Sequence, residues 1–185
     1  MEIDLHEKIT LIIGLNGSGK TYFAQNKIIP GYRCIIHDPL KQYPSNKCDV
    51  YHPKNIVYPA IAYDNEKFIS WIENNCNSYD LLVFEECSRL FPNKKDFMPK
   101  MRSFFDTYRH FNNIGMVFIC RRPAQINTEI TNLAHHIISF GNKGKADIQT
   151  LNQESEGLGD LCKTLSNYEF VFVDQDRNYK KMGKI

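Results

Sequence analysis

Short apolar runs alternate with amphipathic segments along the whole chain. Residues 8–14 (KITLIIG), 33–38 (RCIIHD), 80–85 (DLLVFE), 115–121 (GMVFICR), 135–141 (HHIISFG) and 168–174 (YEFVFVD) read as strands. Their hydrophobicity is nearly continuous rather than alternating, which is the pattern of strands covered on both faces. Helical spacing occupies 20–28, 65–76, about 98–111, a short stretch near 127–133, and 145–154. A Tyr/Pro/Asn-rich excursion separates the second strand from the next helix over 41–62. Strand and helix in alternation predict an α/β fold with a mostly parallel sheet and helices on both faces. On such a sheet, ligands gather at the carboxyl ends of the strands.

The carboxyl end of the first strand carries the clearest chemistry. GLNGSGKT, Gly14 to Thr21, has the spacing G-x-x-x-x-G-K-[ST]. Glycines let the backbone turn tightly, so that successive amide N–H groups point at phosphate oxygens. The helix that follows adds the positive end of its dipole. Lys20 reaches the β- and γ-phosphates, and the Thr21 hydroxyl joins a Mg²⁺ shell. The nucleotide-binding set is therefore Asn16, Gly17, Ser18, Gly19, Lys20, Thr21 and Tyr22. An ordinary glycine turn is the competing reading. The four fixed positions arise by chance in roughly one chain in a hundred of this length, and the strand and helix flanks lower that further.

A second acidic site closes another buried strand. LLVFEE, residues 81–86, runs four apolar residues into Glu85 and Glu86. Strand ends often carry solvated acids. Beside a P-loop, the first acid is expected to hold Mg²⁺ and the second to orient and deprotonate the attacking water. Glu85 is thus the metal candidate and Glu86 the catalytic one. A base for water suits an ATPase better than a small-molecule kinase, which needs a substrate hydroxyl in line.

Arginines near the later strands are the third element. Arg109 lies within YRHFNNIG before the 115–121 strand, which ends in Arg121, Arg122 and a proline. Each is a candidate to stabilise charge on the transferred phosphoryl group. Arg102, Asp106 and Arg109 share a helical stripe, and for Arg102 a surface ion pair is the preferred reading.

Size and composition narrow the setting. With 185 residues, one α/β domain is expected over 1–185, ending in a helix, strand and basic tail at 143–185. The net charge of +2 announces no global field for nucleic acid. No apolar stretch approaches membrane-spanning length and MEIDLHEK lacks a signal-peptide pattern, so a soluble intracellular protein without membrane insertion is expected. Six scattered cysteines, with no C-x-x-C pair, read as free thiols in a reducing compartment. His135 and His136 are adjacent, so a strand would point them to opposite faces, which argues against a metal site there.

The order GLNGSGKT, HDPLKQYP, LLVFEE and YRHFNNIGMVFICRRPAQINTEITNLAHHIISF resembles the HerA/FtsK superfamily of ring-forming DNA-pumping ATPases. It is most similar to their compact viral genome-packaging branch, over roughly residues 8–142. The resemblance implies a RecA-like (ASCE) P-loop NTPase with ATP and Mg²⁺ as cofactors, acting as a homo-oligomeric ring, a pentamer or hexamer. It implies sequence-independent translocation of double-stranded DNA, packaged into a preformed capsid. Capsid vertex or portal proteins are then candidate partners, and the host-cell cytoplasm or the virion the expected location. Lys20, Thr21, Glu85 and Glu86 match the family's motifs, and Arg109 falls in the segment resembling the one that carries an inter-subunit arginine. Two positions depart from it. Glu85 stands where aspartate is usual, and Arg121 where a polar glutamine precedes Arg-Pro. FEECSRLFP and YRHFNNIG also fit an alternative, a Zot-like assembly or secretion ATPase of a filamentous phage.

Overall fold

The first strand, β1 (Ile9–Ile13), is buried at every position, which requires cover on both sheet faces. The computed structural model describes residues 3–45, 48–57, 59–93, 99–107 and 114–185. Among these, the further strands are β2 (Cys34–His37), β3 (Asp49–Tyr51), β4 (Leu81–Phe84), β5 (Gly115–Cys120), β6 (His136–Phe140), β7 (Phe170–Val173) and β8 (Tyr179–Met182). They form one sheet in the order β3-β2-β4-β5-β1-β6-β7-β8. All pairings from β3 to β6 are parallel, and β7 and β8 are added antiparallel. One strand, β5, separates the P-loop strand β1 from the acid-bearing strand β4. This is the P-loop NTPase fold expected from the sequence.

Side-chain alternation splits the core in two. Ile9, Leu11, Ile13, Phe84, Met116 and Phe118 face one side. There they meet α2 (Ala60–Asn75) and α4 (Pro99–Thr107) through Phe68, Ile72, Phe104 and Phe105. Phe84 and Phe118, neighbours across β4 and β5, stack with ring centroids 5.1 Å apart. Ile12, Val83, Val117 and Ile119 face the opposite side, covered by α1 (Lys20–Phe23) and its continuation through Phe23, Ala24 and Ile28. That continuation, Ala24–Ile28, is a π-helix, in which Ile29 N–H donates to Ala24 O at 2.9 Å.

Several elements differ from the sequence reading. The 41–62 excursion contains β3, whose Val50 pairs with Ile36, and the start of α2. A three-residue strand is too short to show a period. After the paired acids comes a short helix, α3 (Cys87–Leu90), and α5 (Thr128–Leu133) and α6 (Lys145–Glu154) follow as expected. Then α7 (Leu158–Lys163) starts at Gly157, whose φ of 77° interrupts the helical pattern. The basic tail forms β8, an edge strand, YKKM. Lysines there suit an edge, because charge deters pairing with another chain.

Candidate active site

The P-loop leaves β1 at Gly14, whose φ is 154°. A Cβ there would lie 2.6 Å from the Cβ of Phe140, so only glycine fits. The loop is tied to two neighbouring strands: Gly14 N–H donates to Cys120 O at 3.3 Å, and Leu15 N–H to Gly141 O at 3.1 Å. It turns into α1 at Gly19, with φ 112°, and Phe23 N–H closes the first turn on Gly19 O at 2.8 Å. Ser18 is buried below, and its Oγ has no hydrogen-bond partner among the described residues.

Lys20 is 8% exposed and folds back along the loop. Its Nζ donates to Gly14 O at 2.7 Å and Leu15 O at 3.1 Å. Burial lowers its pKa below that of an ordinary lysine, opposed chiefly by the nearby Glu85 carboxylate. A cavity of about 270 Å³ opens above it. It is lined by the loop and α1 residues Asn16, Gly17, Gly19, Lys20, Thr21 and Tyr22 together with Gln42, Glu85, Glu86 and Arg121. Elements as far apart in sequence as Asn16 and Arg121 thus meet around one cavity.

The two acids occupy different environments. Glu85 is 2% exposed, its backbone N–H bonded to His37 O at 3.0 Å in continuation of β4. Burial pushes its carboxyl up to about 7, against the pull of the Tyr43 hydroxyl, which donates to Oε2 at 2.7 Å. Tyr43 is delivered by a turn that Asp38 organises. The buried Asp38 carboxylate accepts from Leu40 N–H at 3.2 Å and Tyr43 N–H at 2.9 Å. Asp38 and Tyr43 belong to the HDPLKQYP element. The sequence marks that element as distinctive, but the contact of its tyrosine with Glu85 depends on the adjacency of β2 and β4.

Glu86 starts α3 at a φ of 50°, a left-handed conformation costly for a residue with a side chain. The bend turns the chain out of the strand at the cavity. Arg121 Nε donates to Glu86 Oε1 at 2.5 Å. The same two residues also line a second cavity of about 520 Å³, together with Arg89, Asn93 and Gln125.

The other arginines are placed differently. Arg122 turns from the P-loop cavity to Asp147 in the first turn of α6, Nε to Oδ2 at 3.0 Å. Arg102 pairs with Glu129 through both terminal guanidinium nitrogens, at 2.6 and 2.7 Å, a surface ion pair with a partner on α5. Arg109 lies outside the described residues. Thr21 Oγ1 is 3.5 Å from Gln42 Oε1. The Thr21 hydroxyl and the Glu85 carboxylate form a hard oxygen donor pair beside the phosphate cavity, which fits Mg²⁺. Among the described residues, no three His, Cys, Asp or Glu side chains cluster as a metal cage. No helix among the described residues is long and apolar enough to cross a membrane.

Comparison with known proteins finds the same fold elsewhere. The DNA-packaging ATPase B204 from Sulfolobus turreted icosahedral virus superposes with a TM-score of 0.83 at 19% identity, covering 98% of this chain and 100% of that one. The genome packaging NTPase B204 of Sulfolobus turreted icosahedral virus 2, in complex with ATP-gammaS, gives 0.83 at 18% identity over 97% and 98%. The N-terminal domain of zonular occludens toxin from Neisseria meningitidis gives 0.53 at 13% identity over 97% and 95%. Curated protein sequences contain no match to the chain. The sequence model of the zonular occludens toxin (Zot) family matches residues 8–157, from the strand before the P-loop through the α6 helix. The chain belongs to the Zot family.

Proposed function

We propose that this protein is an ATP-driven motor that moves double-stranded DNA without regard to sequence and packages a viral genome into a preformed capsid. The observation that carries the ATPase part is the meeting of Lys20 and the paired acids Glu85 and Glu86 around one cavity. Backbone amides of the loop and the Lys20 ammonium bind the β- and γ-phosphates. Thr21 and Glu85 are the residues that would hold Mg²⁺, which when bound offsets phosphate charge and orients the γ-phosphate. Glu86 accepts the proton of the attacking water, and Arg121 holds its carboxylate in place. Arg109, which falls in the segment resembling one that carries an inter-subunit arginine, acts from the neighbouring subunit of a five- or six-membered ring, in the host-cell cytoplasm or the virion, with capsid vertex or portal proteins as further partners.

The packaging part is supported by fold similarity to B204, which extends over nearly all of both chains. Membership of the Zot family favours a second reading, an ATPase that assembles or secretes phage components. Rates of ATP hydrolysis with and without duplex DNA of unrelated sequences, at several salt concentrations, separate the two. A DNA motor hydrolyses faster with any duplex, and the effect fades steeply as salt rises, because phosphate contacts release counterions. No response to DNA, with or without capsids, moves the assembly reading ahead.

A further inference from the structure

Two thiols meet at the β3 edge of the sheet. The paired positions of β2 and β3 are Ile35 with Asp49, Ile36 with Val50 and His37 with Tyr51. One step back along the same register sets Cys34 opposite Cys48. Positions paired across neighbouring strands lie about 4.8 Å apart. A disulfide spans a Cα spacing of about 4.4–6.8 Å, so backbone spacing permits a bridge here. The side chains also share a face, since Cys34 and Ile36 belong to the core on the α1 side and Cys48 and Val50 pack against it. Both cysteines are free thiols, and the Cys34 S–H donates a hydrogen bond to the Cys48 sulfur.

Access distinguishes this pair from another. Cys87 and Cys120 also touch, but they are 0% and 1% exposed, sealed beneath the Glu86–Arg121 pair. Cys34 is buried too, whereas Cys48 is only half-buried and lines a small cleft with Gln25, Ile29, Tyr43 and Pro44. A reagent in solution therefore meets Cys48 first, with Cys34 directly behind it.

We infer that Cys34 and Cys48 form a redox site, which a small-molecule disulfide converts to a bridge between β2 and the residue before β3. Cys48 gives up its proton and attacks one sulfur of the oxidant, and the first small thiol leaves with that proton. Cys34 then attacks the Cys48 sulfur of the mixed disulfide. The second small thiol leaves with the Cys34 proton as the Cys34–Cys48 bond forms. Two electrons pass from the protein pair to the oxidant, which ends as two thiols. Burial holds both cysteines above the ordinary thiol range, so the exchange is slow. The segment that the bridge closes, 34–48, carries Asp38, Gln42 and Tyr43, and Tyr43 is the residue that donates to Glu85. Oxidation thus ties down the segment that supports the buried acid.

The test oxidises the folded full chain with excess glutathione disulfide, blocks the remaining thiols by alkylation, and maps the digested peptides by mass spectrometry. A peptide linking Cys34 to Cys48 should appear, and dithiothreitol should remove it. Cys87 and Cys120 should stay unlinked. Oxidation should raise Tm by about 5–10 °C, because the bridge constrains the unfolded chain. The same treatment should leave Tm unchanged in Cys48→Ser and in Cys48→Ala. Absence of the linked peptide overturns the site, as does a Cys48 that stays capped by glutathione beside a reduced Cys34. A link between Cys87 and Cys120 in its place, or an equal rise in Tm in the Cys48 variants, overturns it as well.

Discussion

Arg121 Nε donates to Glu86 Oε1 at 2.5 Å, joining the end of β5 to the residue that follows the β4 acid. The arginine therefore stands against the second glutamate, at the edge of the phosphate cavity. Its side chain is 39% exposed and that of Glu86 9%, so the pair fixes a buried carboxylate by way of a partly solvated cation.

Arg121→Ala should lower kcat by about tenfold to a hundredfold, the range expected when a reacting group is misplaced by about an ångström. ATP affinity should change little. Arg121→Gln, which keeps a hydrogen-bond donor and removes the charge, should fall between the alanine variant and the parent. A loss confined to ATP affinity would instead place Arg121 on the phosphates.

Lys20→Ala should abolish turnover and leave the far-ultraviolet circular dichroism unchanged, since its partners are loop carbonyls. Glu86→Gln should bind ATP but hydrolyse it about 10²- to 10⁴-fold more slowly, the usual worth of a general base. Stopped-flow binding with single-turnover hydrolysis separates the two effects.

Glu85 makes stability depend on pH. Its folded pKa, pushed up to about 7, exceeds the unfolded carboxylate value, so the folded state binds more protons between the two. Stability from this group is present at low pH and is lost as pH rises toward and through 7. Glu85→Gln keeps an acceptor for the Tyr43 hydroxyl and removes the buried charge. Its Tm should exceed that of the parent at pH 8, and the difference should shrink toward pH 5. His37, buried and lowered to about 4, acts in the opposite sense in both proteins and cancels in the comparison. The same variant should need more Mg²⁺ for half-maximal hydrolysis.

Arg122→Ala should act on stability rather than chemistry. Asp147 is 1% exposed and would lose the guanidinium that faces it, at a cost of about 1–3 kcal/mol for a buried polar group left under-satisfied. Chemical denaturation should show this loss, with the hydrolysis rate per folded molecule preserved.

Arg109→Ala tests a shared site. Mixed with Lys20→Ala subunits, it should regain part of the hydrolysis that each variant lacks alone, since an interface between them pairs an intact P-loop with an intact arginine. No recovery in verified mixed rings would point to a role within its own subunit, or to Arg121 or Arg122 as the arginine at the phosphates.

The sequence by itself determined the chemistry of the P-loop, because phosphate binding uses local backbone: three glycines, a lysine and a threonine on consecutive turns. It also determined the parallel core, whose strands read as continuous apolar runs, and the acids that close LLVFEE. Elements without a period of their own were not legible. The β3 strand has three residues, and β8 is charged because it lies at an edge. Arg121 and Arg122 are adjacent in sequence and equal in composition, yet the end of β5 sends one to Glu86 and the other to Asp147. Tyr43 meets Glu85 across β2 and β4, and Tyr168 reaches the P-loop from a segment about 150 residues later in the chain. Strand order alone sets such contacts. Spacing along the chain carries local geometry, whereas the partners of a long side chain are chosen by which strand ends the sheet places side by side.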